Sequence, residues 1–261
     1  MSAPQQVLDL IAQSGNSFHA RVARVFRDAG WTVTVSPYYM DQTQQKSREL
    51  DLVVEKLHST PAGLLGKHTS VVTRLFVECK FVPGHGVFWF TQKNSRGIES
   101  LVCRNGPFRE NNSYTQQHHY LQGNRAAKLF ASSPSRGSQE QEPFYKALNQ
   151  ALTGLVAMRN QTPLCLERRG RSISADVVLD FPVVVCSSFS ELYAADFDDV
   201  HPVTPIRDNF QLEVQYAYLS QDSTPRNELF VLDFVEFDRL TVFLTQIEED
   251  AKLAAFFSAD D

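Results

Sequence analysis

The sequence predicts an α/β fold in which a mixed central sheet is flanked by helices. Three observations predict it. Phe18, Val22, Val25 and Phe26 recur at helical spacing, and three runs that alternate with period two follow them. A second helical period then opens at Pro143, carried by Phe144, Leu148, Ala151, Leu152 and Leu155. Beyond it, the continuous apolar run from Phe181 to Cys186 reads as a buried strand. Two more strands and a terminal helix extend this αβββαβ order. The 261 residues are read as one domain with a core at about 17–186, an insertion at 91–141 and an acidic extension at 187–261.

Taken in order, a short helix is expected around Gln6 to Ala12, and Asn16-Ser17 caps the next one. That second helix ends at Gly30 as a left-handed cap. Its polar side carries His19, Arg21, Arg24 and Arg27, a solvated stripe whose functional alternative is contact with backbone phosphates. Trp31 to Ser36 is the first strand, with 31, 33 and 35 on its apolar face. After a polar turn from Asp41 to Ser47, Arg48 to Lys56 places Leu50, Leu52 and Val54 on one face and Asp51 on the other. A loop from Ser59 to Ser70 leads to Arg74–Phe81, where Leu75, Val77, Cys79 and Phe81 share the apolar face and Glu78 and Lys80 the opposite one. His85 between glycines reads as an ordinary loop histidine.

Residues 91–138 read as irregular and basic, with a short helix from Arg125 to Ala131 and a flexible excursion from Ser132 to Gln141. His118-His119 has no third ligand at metal spacing. Arg168, Arg169 and Arg171 form a basic loop, and Pro182 is expected at the start of its strand. Phe210–Leu219 and Leu229–Phe237 are the added strands. The helix from Asp238 to Phe257 turns Leu240, Phe243, Leu244 and Ile247 inward and Glu248, Glu249 and Asp250 outward.

Composition narrows the function classes. No apolar run approaches the ~20 residues that span a bilayer, and the acidic polar face of the last helix disfavours a membrane-surface role. Met1 to Gln6 lacks the layout of a secretory signal, and the four cysteines form no CxxC pair, which together predict a cytoplasmic protein without a disulfide framework. The net charge of −5 divides into +8 over residues 1–179 and −13 over 180–261. A polyanion is drawn to the first part, and the acidic part suggests a protein partner. Neither a Gly-rich phosphate loop nor a Ser/His/Asp order is present, so a small-molecule enzyme of those types is not indicated.

Asp51, Glu78 and Lys80 form the constellation that carries chemistry. Two carboxylates on neighbouring strands can hold a Mg²⁺ that keeps several waters. A lysine beside them can stabilise the charge that builds up in phosphodiester hydrolysis. With these residues in the αβββαβ order, the chain resembles the PD-(D/E)xK, or restriction endonuclease-like, nuclease superfamily. Leu50-Asp51 stands for its first half, with leucine in place of proline, and Glu78-Cys79-Lys80 for its second. The Mrr-like and defence-associated members are the most similar in outline. The resemblance implies a DNA endonuclease using Mg²⁺ or Mn²⁺, with Asp51, Glu78 and the Cys79 carbonyl on the metal. It assigns Lys80 to the attacking water, and Gln150 or Lys146 on the second helix to an auxiliary role. Many members add a glutamate on the first helix, which this chain lacks between Ser17 and Ala29. One active site per chain favours a homodimer for cutting both strands. The competing expectation is a catalytically silent module of the same fold that binds nucleic acid or a protein partner.

Overall fold

The computed structural model describes residues 3–13, 15–60, 69–82, 84–133, 143–167, 174–199, 202–220 and 222–259. The elements are α1 (Ala3–Gln13), α2 (Asn16–Asp28), β1 (Thr32–Val35), β2 (Tyr38–Asp41), β3 (Lys46–Glu49), β4 (Leu52–Thr60), β5 (Thr69–Lys80), β6 (Gly86–Gln92) and α3 (Ser95–Asn105). They continue with β7 (Arg125–Ser132), α4 (Pro143–Met158), α5 (Leu164–Glu167), β8 (Val177–Cys186), β9 (Leu192–Asp196), β10 (Thr204–Pro205), β11 (Phe210–Leu219), β12 (Pro225–Glu236) and α6 (Leu240–Ala259). Among the described residues, ten strands form one mixed sheet in the order β1-β4-β5-β8-β12-β11-β7-β6-β9-β10, and β2 pairs with β3 as a separate hairpin. β1, β4 and β5 are antiparallel neighbours, and β8, reached through α4, lies parallel to β5. β12 is parallel to β8, so the acidic C-terminal region continues the sheet beyond β8 with β12 and β11, and its β9 and β10 form the far edge.

Two layers cover this sheet. On one face α2, α3 and α6 pack over Leu52, Val54, Leu75, Val77, Cys79, Val183 and Val185. On the other, α4 buries Phe144, Leu148, Ala151, Leu152 and Leu155 against Phe76, Val184 and Phe234. Leu75, Val77 and Cys79 thus share a face as expected, but the opposite face of β5 is dry as well. Arg74 is buried there and clasps Asp180 through Nε and Nη2 at 2.8 and 3.1 Å. Phe81 lies past the strand end and is exposed, outside the predicted apolar face.

Several expectations are corrected. Arg125–Ala131 is a strand and not a helix, because its Ala-rich run is captured between β6 and β11. The region read as irregular also holds α3, capped by Asn94, whose side chain accepts from Gly97 N at 3.1 Å. Gly15, and not Asn16, occupies the cap position of α2, while Gly30 is left-handed at φ 80° as predicted. Pro182 falls inside β8 opposite Phe76, tolerated because β12 pairs with β8 only from Val183 onward. Asp250 faces inward and is buried, against the outward placement read from the helix pattern. Residues 61–68 of the loop before β5, residues 134–142 of the excursion and the Arg168, Arg169 and Arg171 cluster lie outside the described residues. No helix among those described is long and apolar enough to cross a membrane.

Candidate active site

Asp51 does not sit within a continuous strand. β3 ends at Glu49 and β4 begins at Leu52, and the link is pinned to the end of β1 by Ser36 N donating to Asp51 O (2.9 Å) and Leu50 N to Pro37 O (3.1 Å). Ser36 takes a left-handed φ of 52° to make this crossing. The break shifts the alternation by one residue. Leu50 therefore packs on the α4 face, while Leu52 and Val54 pack on the α2–α6 face, which corrects the expectation that all three share one side. Asp51 is left at the junction, its side chain 18% exposed.

There the two sequence-predicted carboxylates meet across the ends of β4 and β5. Asp51 Oδ2 accepts from Cys79 N at 2.8 Å, and Glu78 Oε1 accepts from Asp51 N at 3.3 Å. Each acid is thus anchored on the main chain beside the other. Lys80 Nζ stands 3.3 Å from Glu78 Oε2. That ion pair is not aligned as a hydrogen bond, so Oε2 of the fully buried Glu78 has no hydrogen-bond partner among the described residues. Burial, followed by the nearby charge of Asp51, pushes the Glu78 carboxyl up to about 8 against the opposing pull of Lys80. An orphaned carboxylate oxygen next to a second carboxylate is a place where a hard divalent cation would relieve both strains.

The sequence reading missed two neighbours. His19, in the second turn of α2, places Nε2 3.4 Å from Asp51 Oδ2. It is not merely part of a solvated basic stripe. His19, Asp51 and Cys79 bring candidate ligand atoms within 4.8 Å of one another. Burial raises the Cys79 thiol well above its ordinary range, so it stays protonated and is a poor ligand, leaving the imidazole and the carboxylates as the usable donors. Glu49 is the second neighbour. Hydrogen bonds from Ser36 and Tyr38, together with the nearby His19, hold its carboxyl below the usual range. The signals were present in outline: a histidine on the helix preceding the first strand, and a second acid two residues before Asp51.

Gln150 reaches the site at one remove. Its Nε2 donates to Glu49 O at 2.9 Å, its main-chain carbonyl accepts from Tyr39 Oη at 3.2 Å, and its buried Oε1 has no hydrogen-bond partner among the described residues. Lys146 lines a separate cleft of about 280 Å³ with Arg48, Asn149 and Gln150, on the α4 side. His85 is exposed and pairs with Glu191 at 2.6 Å, in keeping with a loop histidine.

His118 and His119 are engaged elsewhere. His119 lies between two buried acids, its Nδ1 on Asp250 Oδ2 and its Nε2 3.2 Å from Asp233 Oδ2. Burial alone would lower its pKa, but the two carboxylates outweigh it and push it up to about 10, so both ring nitrogens carry protons. His118 Nδ1 accepts from Tyr120 N at 3.1 Å, which places the proton of the neutral ring on Nε2, 3.4 Å from Asp250. Neither imidazole then has a lone pair to give a metal, although the side chains cluster closely.

Comparison with family models, curated proteins and solved structures returns no match.

Proposed function

We propose that the protein is a divalent-metal-dependent nuclease that hydrolyses phosphodiester bonds of DNA. One observation carries the reading: a buried glutamate with an orphaned oxygen, tied reciprocally to an aspartate across two strand ends, with a lysine 3.3 Å away. The chain order α2, β1, β4, β5, α4, β8, with those strands adjacent in that sequence, supports the resemblance to the PD-(D/E)xK superfamily. Asp51 and Glu78 would hold Mg²⁺ or Mn²⁺. His19 lies on α2, the helix before the first strand, where many members of that superfamily place a glutamate. The metal, when bound, supplies a Lewis acid and a more acidic water. Lys80 is placed to offset charge gathering on the phosphate. Gln150 acts as a positioning residue, because it holds the Glu49 carbonyl two residues before Asp51.

The alternative of a silent module drew on the acidic C-terminal region as a partner surface. Much of that acidity is spent internally: Asp180 on Arg74, Glu213 on Lys128, Asp233 and Asp250 on His119, and Glu248 on Lys56. Less bare negative surface remains than the count implies, and the enzymatic reading is favoured.

The test is incubation of the purified chain with plasmid, linear and single-stranded DNA, with Mg²⁺ or Mn²⁺ and with EDTA. Cleavage is expected only with metal. Asp51→Ala, Glu78→Gln and Lys80→Ala are each expected to abolish it with unchanged thermal unfolding cooperativity, and His19→Ala to weaken the affinity for the metal by about tenfold. Equal cutting in EDTA would sink the reading.

A further inference from the structure

We infer that the substrate strand is unpaired where it is cut, and that Tyr38 and Phe81 each stack on one of its bases, on either side of the scissile phosphate. The cutting rests on the nuclease reading above; the stacking does not.

Among the described residues, Tyr38 is the most exposed aromatic side chain at 69% and Phe81 the next at 66%. Leaving such rings in water forgoes a large gain from burial, so two of them at one place mark a binding surface. That place is the candidate active site. Phe81 directly follows Lys80, which sets its Cα about 3.8 Å from that of the lysine. Tyr38 Oη donates to Glu49 Oε2 at 3.0 Å, and Glu49 precedes Asp51 by two residues, at most about 7 Å of chain. Tyr38 also stands two residues beyond Ser36, whose N donates to Asp51 O. The rings thus approach the carboxylates and the lysine from two directions, one from the start of β2 and one from the end of β5.

Both stand on fixed backbone. Ser187 N donates to Lys80 O at 2.9 Å and Val82 N to Ser187 Oγ at 3.1 Å, clamping the chain on both sides of Phe81. Tyr38 pairs with Glu49 in the β2–β3 hairpin, and its hydroxyl bond to the same residue steadies the ring. Rings preset in this way lose little freedom when a base settles on them. Every base has a π-face, so such a pair accepts a strand without reading its sequence. In a duplex those faces are already stacked on their neighbours, whereas an unpaired strand offers them. The charge suits the same occupant. Lys80 is at the site, and Arg24 and Arg27, on the helix that carries His19, are exposed and form no ion pair among the described residues, so they draw a polyanion toward it. Met40 shares the exposed face of β2 with Tyr38, which makes a second copy of the chain the rival occupant.

The test is fluorescence anisotropy of labelled 12-mers with the full chain in EDTA, where cutting cannot intrude. The probes are one mixed-sequence DNA strand, that strand annealed to its complement, and an abasic strand of equal length. The mixed strand is expected to bind at least about twentyfold more tightly than either of the others. Phe81→Ala and Tyr38→Ala, at exposed positions outside the core, are each expected to lower its affinity about fivefold or more and to leave abasic binding unchanged. Phe81→Trp and Tyr38→Phe keep a ring and are expected to retain the affinity. So is Phe197→Ala, which removes an exposed ring just past β9, near the far edge of the sheet. Equal affinity for the mixed and abasic strands, a preference for the duplex, affinity untouched by both alanine variants, or no binding of any strand would overturn the inference. If Tyr38→Ala instead splits a dimer and leaves strand affinity alone, the face is a contact between copies and the inference falls. Stacking without metal-dependent cutting would sink the nuclease reading alone. Metal-dependent cutting of duplex DNA that both alanine variants leave intact would sink the stacking alone.

Discussion

Glu78 is the residue whose ionisation the site must manage. An unfolded glutamate titrates near 4.5, and this one, buried beside Asp51, titrates near 8. Between those values the folded chain holds the extra proton, so the metal-free protein loses stability as pH rises from about 4.5 to 8, on the order of 2–4 kcal/mol. Glu78→Gln removes the cost and is expected to raise the melting temperature of the metal-free protein above pH 8 while leaving it little changed near pH 5. A divalent cation must displace the same proton, so its affinity is expected to climb over this window. Melting with and without saturating Mg²⁺ near pH 6 and near pH 8.5 checks both statements, and a pH-independent Mg²⁺ shift would refute them. Asp51, Glu78 and Lys80 were legible in the sequence because a charge on an otherwise apolar strand is conspicuous. The proximity of His19 to Asp51 was not legible, since a histidine on an amphipathic helix reads as solvated until the helix is docked.

At the scale of elements, the histidine–aspartate chain fastens α6, β12 and the 119–121 turn within the apolar core that they share. Asp250 on α6 takes His119 N and both neighbouring imidazoles, His119 reaches Asp233 on β12, and Tyr120 Oη donates to Val231 O at 3.0 Å. Removing one partner leaves buried charge uncompensated, so Asp250→Ala is expected to cost about 3–5 kcal/mol in urea unfolding. Its pH dependence has the same sign as that of Glu78 but falls in a higher window. His119 is raised from 6.5 to about 10, so its contribution is full below pH 6.5 and is lost as pH rises through about 10. A variant with wild-type stability would show that the chain is dispensable. This network was hidden because the period of α6 places Asp250 with its acidic neighbours on the polar side, and only the docking of the 119–121 turn makes that position interior. The strand at Arg125–Ser132 was hidden for a related reason: three alanines and a lysine favour a helix locally, and pairing on both sides overrides that preference. Strongly periodic segments, α2, α4 and β5, were readable from their own residues.

For the whole molecule, the placement of β12 between β8 and β11 decides what can be removed. α6 covers the face that holds Val77 and Cys79, and β12 supplies the second neighbour of β8. A chain ending at residue 199 would expose the edge of β8 and the apolar face of β5, so it is expected to lose cooperative unfolding and bind a hydrophobic dye. A soluble fragment with a sharp transition would show instead that the first part folds alone. The sequence treated this region as an appendage because alternation identifies strands but not their neighbours, and the parallel pairing of β12 with β8 is a long-range choice.

That late insertion has a temporal side. While the ribosome is still extending the chain, the segment bearing Asp51, Glu78 and Lys80 has already emerged, but the helix that backs it has not been made. A nascent chain therefore carries the three residues without the support that holds them in register. Under the nuclease function proposed above, competence to cut is expected only once α6 has docked, so that the nascent chain would spare the nucleic acid around it.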